Sequence, residues 1–290
     1  AQGPVVANLE SDFVTMIGGG NACALSSGSA SLFLALYGLG IGKGQKVAVP
    51  TYACSALLNA IYMSGCIPNV VDITEDTFVI DPDRIDDQAP EAAAAIVVHC
   101  FGGVADVKNL HDRGILVVED CCHSIGGFTG NEGDASVYSF HATKTITGGS
   151  GGLVWTKSRK VFEKVFDYRQ HDCRDKYIPR FNLQMTDIQA AMIRSQLSRL
   201  SEISSRRKYI YGLYRNALPD FLSVQTGLSS PSISPYRFII RAEDKKTRDQ
   251  LQDHMTGHGV TTIVPIERYE LLHRYLGLDG EEYPIAENVV

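Results

Sequence analysis

The sequence predicts an α/β protein: a mainly parallel sheet flanked by helices, followed by a smaller C-terminal α+β domain. Two observations carry this. Through the first two thirds of the chain, short β-branched runs alternate with segments of helical periodicity, as in strands joined by crossover helices. A long helical stretch then gives way to LPDFLSVQTGLSSPSISP, rich in Ser, Pro and Gly, which reads as a boundary. The expected division is residues 1–218 for the large domain with its linking helix and 219–290 for the small one. A length of 290 residues accommodates such a pair.

The elements follow in order. SLFLALYGLGIG is apolar at helical spacing and closed by glycines, KVAVP is a short buried strand, and SALLNAIYMSG is a helix ended by Gly65. IPNVVDI is a strand, PDRIDDQ a helix start, AAAAIVVHCFG a strand, VADVKNLHDRG a helix and ILVVED a strand. SVYSF and GGLVWT add two more strands. In the helical stretch from Met185 to Leu218, Thr186 or Asp187 can cap the start. Ile188, Met192, Leu197 and Leu200 give its approximate apolar face. Beyond the boundary, YRFIIRA reads as a strand, TRDQLQDHMTGHG as a helix and VTTIVP as a strand.

Composition narrows the function classes. Hydrophobic content of 44% and charged content of 21% are ordinary for a globular protein. A net charge of −6 gives no basic face for nucleic acid. No apolar run approaches the length of a membrane span, and AQGPVVANLE lacks the pattern of a signal peptide. The seven cysteines have no metal-ligand rhythm, so no metal is expected. Cys23, Cys54, Cys66 and Cys100 sit in apolar or small-residue contexts and read as hydrophobic fillers. A reducing, cytoplasmic location fits this usage.

In a parallel sheet, ligands bind beyond the carboxyl ends of the strands. Ser27, Tyr52, His99, Asp120 and Lys144 all follow strand-like runs, so a common rim is expected for them. Small residues in SSGSAS before a helix let amides approach a phosphate, although a plain serine-capped turn would look the same. Tyr52 can stack on a flat heterocycle or sit half-buried in a loop. Asp120 ends an apolar run, where an unpaired carboxylate is costly and a cationic partner relieves it. A helix cap or salt bridge would relieve it too. His123, three residues on, is a ring contact or a packed histidine. Ser139 precedes Lys144 by five residues in SFHATK, and the neighbours of Lys144 are small rather than charged. Desolvation there would favour the neutral, imine-forming amine. A lysine for an aldehyde and an acid for a pyridinium proton are together what pyridoxal 5′-phosphate needs.

These residues also stand in a recognisable order. SSGSASL, GIGKGQKVAVPTYACSA, VVDITEDTFVIDP, VHCFGGVADV, VVEDCCHSIGG, SFHATK, GSGGLV and RFNLQMTDIQAAM resemble the DegT/DnrJ/EryC1/StrS sugar aminotransferases across nearly the whole chain. The resemblance implies the pyridoxal-phosphate-dependent transferase fold type I. By position, Lys144 resembles the Schiff-base lysine and Asp120 the partner of the pyridine nitrogen. His123 stands where the family has Gln or His near the ring hydroxyl. Ser29 and Ala30 match the phosphate-binding pair, Ser139 a second phosphate contact and Tyr52 the stacking aromatic. Asn182 and Gln184 resemble residues inserted from the neighbouring subunit, which implies a homodimer with shared active sites. The family's opening segment before QGPVV and its further strand and helix after YPIAENVV are not in the sequence, so the small domain is expected to be incomplete. Sugar dehydratases of the family carry histidine in place of the lysine, and Lys144 argues against that branch.

The resemblance implies ping-pong transfer of an amino group from glutamate, or glutamine, to a keto sugar, expected to be nucleotide-linked, for amino-sugar biosynthesis. Two other readings stand beside it. A lyase of the same fold would need a mobile nucleophilic cysteine near the cofactor, and Cys121 and Cys122 are the nearest in sequence. A degenerate, cofactor-retaining paralogue would serve as a binding protein.

Overall fold

The computed structural model describes residues 2–127, 129–219, 222–226 and 234–290. It begins with helix α1 (Pro4–Ile17), strand β1 (Asn21–Leu25) and helix α2 (Gly28–Leu39). Then come β2 (Lys46–Pro50), α3 (Ala56–Met63), β3 (Ile67–Val71), α4 (Ile85–Gln88) and β4 (Ala92–Val98). α5 (Val107–Asp112), β5 (Leu116–Asp120), β6 (Ala135–Ser139), β7 (Gly152–Thr156) and α6 (Arg159–Arg169) complete the sheet region. α7 (Asp187–Leu197) and α8 (Leu200–Ala217) lead to the ribbon of β8 (Ser223–Val224) and β9 (Ile240–Arg241). Three helices follow: α9 (Lys245–Gly257), α10 (Leu272–Tyr275) and α11 (Pro284–Asn288).

The seven-stranded sheet has the order β1-β7-β6-β5-β4-β2-β3. Only β7 runs against its neighbours, pairing antiparallel with both β1 and β6. The two-residue period of a strand sorts side chains onto two faces. Val47, Val49, Ile96, Val98 and Val118 join the core under α2, α3 and α6. Ala48, Ala95, Val97 and Val117 join the opposite core, under α4 and α5. α1 and α7 extend that second layer over β1, β6 and β7 through Phe13, Phe140, Leu153 and Ile193.

Helix α2 is apolar on nearly every side because it is buried on nearly every side. Gly38 lets α6 approach, since a Cβ there would lie 2.8 Å from a methyl of Val165. Gly40 ends the helix at φ 83°, a conformation that favours glycine. Residues 268–290 return to the sheet. Leu271 and Leu272 are fully buried in the main core. Asp72 accepts hydrogen bonds from the Ile285 and Ala286 amides at the start of α11, both at 2.9 Å.

Five expectations about the elements and the cysteines need correction. The helical stretch after Met185 breaks at Ser198 and Arg199 into α7 and α8. Its buried face on α7 is Ala190 and Ile193, packed on α1, while Ile188 and Met192 are exposed. VTTIVP forms no strand: it pairs with none of the described residues, and Val260 and Ile263 face outward. In YRFIIRA, among the described residues only Ile240 and Arg241 pair, with Val224 and Ser223. Cys54 is exposed rather than a filler, whereas Cys23, Cys66 and Cys100 are buried. The predicted boundary segment falls partly on residues 220–221 and 227–233, which lie outside the described residues.

Candidate active site

Strand ends β1, β2, β5 and β6 bring most of the predicted residues to one edge of the sheet. Ser27 caps α2 by accepting from the Ala30 amide at 3.1 Å. That helix N-terminus abuts the end of β6, because a Cβ on Gly28 would lie 2.9 Å from that of Ser139. Only glycine permits this approach. It sets the exposed Ser29 and buried Ala30 beside the Ser139 hydroxyl, with the positive end of the helix dipole behind them.

Asp120, at the end of β5, is 6% exposed and accepts from the Cys122 amide at 3.0 Å. Lys144 follows β6 in a tight turn, its amide donating to the His141 carbonyl at 2.9 Å. The charges of Asp120 and Lys144 act on the same two thiols, Cys100 and Cys122, which places the pair in one cluster. Burial pushes both thiols up, and the Asp120 carboxylate pushes them further. Cys121 is raised by burial and by Glu119 and Asp120. Burial thus keeps these three thiols from being poised as thiolates, which counts against Cys121 and Cys122 as the nucleophile of a lyase.

His123 has its Nδ1 facing the Phe101 amide at 3.5 Å, and its ring lies between Phe101 and Tyr236. Burial, together with the charges of Lys144 and Arg237, holds the imidazole well below its usual range, so it is neutral at physiological pH. Tyr52 is 4% exposed, with its ring 5.8 Å from Phe78 and 6.2 Å from Phe101. Asn182 is exposed, and its Oδ1 accepts from the Gln184 amide at 3.2 Å. Gln184 is used within the chain, donating to the Arg169 carbonyl at 3.4 Å. This segment touches the same edge, since the Ser26 amide donates to the Leu183 carbonyl at 2.8 Å.

His99 does not join the rim. Its Nε2 is paired with Glu119 at 2.9 Å and its Nδ1 accepts from the Ala105 amide at 3.2 Å, both fully buried. His99, Glu119 and Cys121 bring potential metal-ligand atoms within 4.8 Å of one another. Both nitrogens and both carboxylate oxygens of that group are already engaged in hydrogen bonds. Sequence reasoning missed Phe101 and Tyr236. Phe101 carries one signal visible only in three dimensions, a left-handed φ of 53°. Such strain in a non-glycine residue concentrates at functional sites.

A parallel sheet whose carboxyl edge gathers a lysine, a buried acid and a serine-lined helix N-terminus has the architecture of a cofactor-dependent group-transfer enzyme. The chain belongs to the DegT/DnrJ/EryC1/StrS aminotransferase family, which matches it over residues 1–290. It is 27% identical to the spore coat polysaccharide biosynthesis protein SpsC of Bacillus subtilis, across 99% of this chain and 83% of that protein. Among solved structures it is similar to S. venezuelae DesV in complex with a ketimine intermediate. That match has 26% identity and a TM-score of 0.88, covering 99% of this chain and 82% of that one. It is also similar to NtdA of Bacillus subtilis with bound cofactor PMP. There the identity is 25% and the TM-score 0.87, over 99% of this chain and 72% of that one. Aminotransfer in this family is pyridoxal phosphate chemistry. The residues present fit that group: the Gly28 approach brings the N-terminus of α2 against the Ser139 hydroxyl, donors that suit a phosphate, and the buried Asp120 carboxylate suits a pyridinium proton.

Proposed function

We propose that this aminotransferase moves an amino group from glutamate, or glutamine, to a nucleotide-linked keto sugar. The observation that carries this reading is the convergence of Asp120 and Lys144 at the edge where Gly28 meets Ser139. Pyridoxal phosphate, when bound, supplies the electron sink for deprotonating the donor α-carbon. Lys144 Nζ would hold the cofactor through its aldehyde and move the donor's α-proton. Asp120 would hold a proton at the pyridine nitrogen. His123, a neutral imidazole, would serve the ring hydroxyl, and Tyr52 the ring. The Ser29 and Ala30 amides and the Ser139 hydroxyl would hold the phosphate.

The keto-sugar acceptor draws support from the polysaccharide role in the name of the relative SpsC. Amino-sugar synthesis of that kind suits the cytoplasm, and all seven cysteines are unpaired. No described helix is long and apolar enough to cross a membrane. The working form is a homodimer in which Asn182 of one copy completes the site of the other. Exposed apolar side chains in the same stretch of chain support this: Tyr177, Phe181, Ile188 and Met192. The division into a large domain (1–218) and a small one (219–290) is kept as part of the proposal, with the ribbon and α9 in the second.

Absorbance tests the assignment. Added pyridoxal phosphate is expected to give a visible imine band that glutamate bleaches, and Lys144→Ala is expected to give no such band. An unchanged band in Lys144→Ala would remove Lys144 from the reaction. A band that glutamate leaves untouched would rule out that donor.

A further inference from the structure

Tyr236 leads into β9 and is about 90 residues or more from the site residues Lys144, His123 and Asp120 in sequence, yet it is 6% exposed and touches two of them. Its ring lies on the His123 imidazole with centroids 4.2 Å apart and planes within 8°. Phe101 covers the other face at 5.5 Å and 9°. The Tyr236 hydroxyl donates to the Thr143 carbonyl at 3.0 Å, in the peptide that leads into Lys144. The Lys144 amine lies 5.4 Å from the centre of the same ring, within cation–π range. The tyrosine is itself held at both ends of its backbone. Its amide donates to the Phe101 carbonyl at 3.2 Å, and Arg207 of α8 donates to its carbonyl at 2.6 Å.

We propose that Tyr236 is a positioning residue of the aminotransferase site, which clamps the Thr143–Lys144 peptide and shields one face of the His123 ring from water. The inference rests on the proposed roles of Lys144 and His123. The hydroxyl removes one degree of freedom from the lysine turn. The ring excludes water from one face of an imidazole that Phe101 already covers on the other. Because Tyr236 comes from the C-terminal part of the chain, lysine and imidazole are set only when that part is docked. The charged groups facing His123 are Lys144, from the turn after β6, and Arg237, whose guanidinium sits 5.3 Å from the Tyr236 ring centre.

Two variants of the full chain separate the two contacts. Tyr236→Phe keeps the ring and loses only the hydroxyl. Its kcat is expected to fall about fivefold, what one ordinary hydrogen bond is worth, with the KM for glutamate nearly unchanged. Tyr236→Leu opens one face of His123. Imidazole NMR, with and without cofactor, is then expected to follow His123 titrating near its usual value of about 6.5, whereas the parent ring stays neutral to lower pH. Wild-type kcat in Tyr236→Phe together with a His123 that still does not titrate in Tyr236→Leu overturns the proposal. Should the leucine variant not fold, the phenylalanine variant decides alone. Failure of the site assignment itself is distinguishable, because it removes the Lys144→Ala effect on the imine band while the cofactor-free titration of His123 still reports on Tyr236.

Discussion

Glu119 and Asp120 are neighbours at the end of β5, both almost wholly buried, and they face opposite sides of the sheet. Glu119 is saturated. Its oxygens accept from His99 Nε2 and from the amides of Gly130, Glu132 and Gly133, at 2.9, 2.9, 2.9 and 2.6 Å. Asp120 accepts one amide, that of Cys122, and shares its surroundings with Lys144. The first acid therefore ties the loop after β5 to the sheet, and the second has capacity left for a ligand. Two adjacent buried acids are separated by how fully the protein itself satisfies them.

Asp120→Asn should break this comparison most visibly. Asparagine keeps an acceptor for the Cys122 amide, so the fold and the melting temperature are expected to hold. It cannot carry the charge that holds a pyridine proton, so turnover should drop by about 10²- to 10⁴-fold, the range typical of a lost proton-holding group. Single-turnover absorbance with glutamate would measure it. A variant that turns over normally would place the cofactor's acid elsewhere.

Glu119→Gln should do the reverse. An amide offers one oxygen where two are needed, and its NH₂ would point at existing donors. A loss of about 3 kcal/mol in urea unfolding is expected, as for a broken buried pair, with the cofactor spectrum retained. The effect should also depend on pH. Burial raises the Glu119 carboxyl, but the His99 hydrogen bond and the Gly133 and Gly130 amides outweigh it, and the group is held below its usual value. A depressed carboxyl stabilises fully above its unfolded pKa, about 4.3, and the contribution is lost as pH falls through the lower folded value. The parent protein should therefore lose stability on acidification below about pH 5 more steeply than Glu119→Gln.

Much of this was legible in the sequence, and the exceptions have physical reasons. The strands β2, β4 and β5 announce themselves as Val, Ile and Ala runs. β1, Asn21–Leu25, contains no β-branched residue and becomes a strand through its antiparallel pairing with β7. Asp120 and Lys144 could be singled out because a strand end and a small-residue turn constrain where they lie. His99 also follows a strand, but which way its ring turns is decided by Glu119, a partner 20 residues away. Ile188 and Met192 stand at helical spacing, but so do Ala190 and Ile193, and spacing alone does not say which face is buried: Ala190 and Ile193 meet α1. Tyr236 had no local signal at all, because its role exists only once its segment lies against the turn at Thr143.

Asp187 supplies the smallest effect and the sharpest control. It stands next to the cap of α7 but does not cap it. Thr186 does so, in a reciprocal box with Gln189. Asp187 reaches back to α1 instead and accepts from the amides of Gly3 and Val6, both at 3.0 Å. The N-cap of α1 is Gly3, which has no side chain to serve those donors, and a Cβ there would lie 2.3 Å from the Asp187 carboxylate. An acid from the distant helix thus supplies both the hydrogen bonds and the negative charge that the helix start favours. Like Glu119, it serves backbone amides and is predicted to be structural. Asp187→Ala should cost about 1 kcal/mol of stability, measured by urea unfolding, and Asp187→Asn less, because its oxygen still accepts. Neither should alter the imine band or its bleaching by glutamate. If Asp187→Ala lost the cofactor band while remaining folded, saturation by backbone amides would no longer separate structural acids from functional ones in this protein.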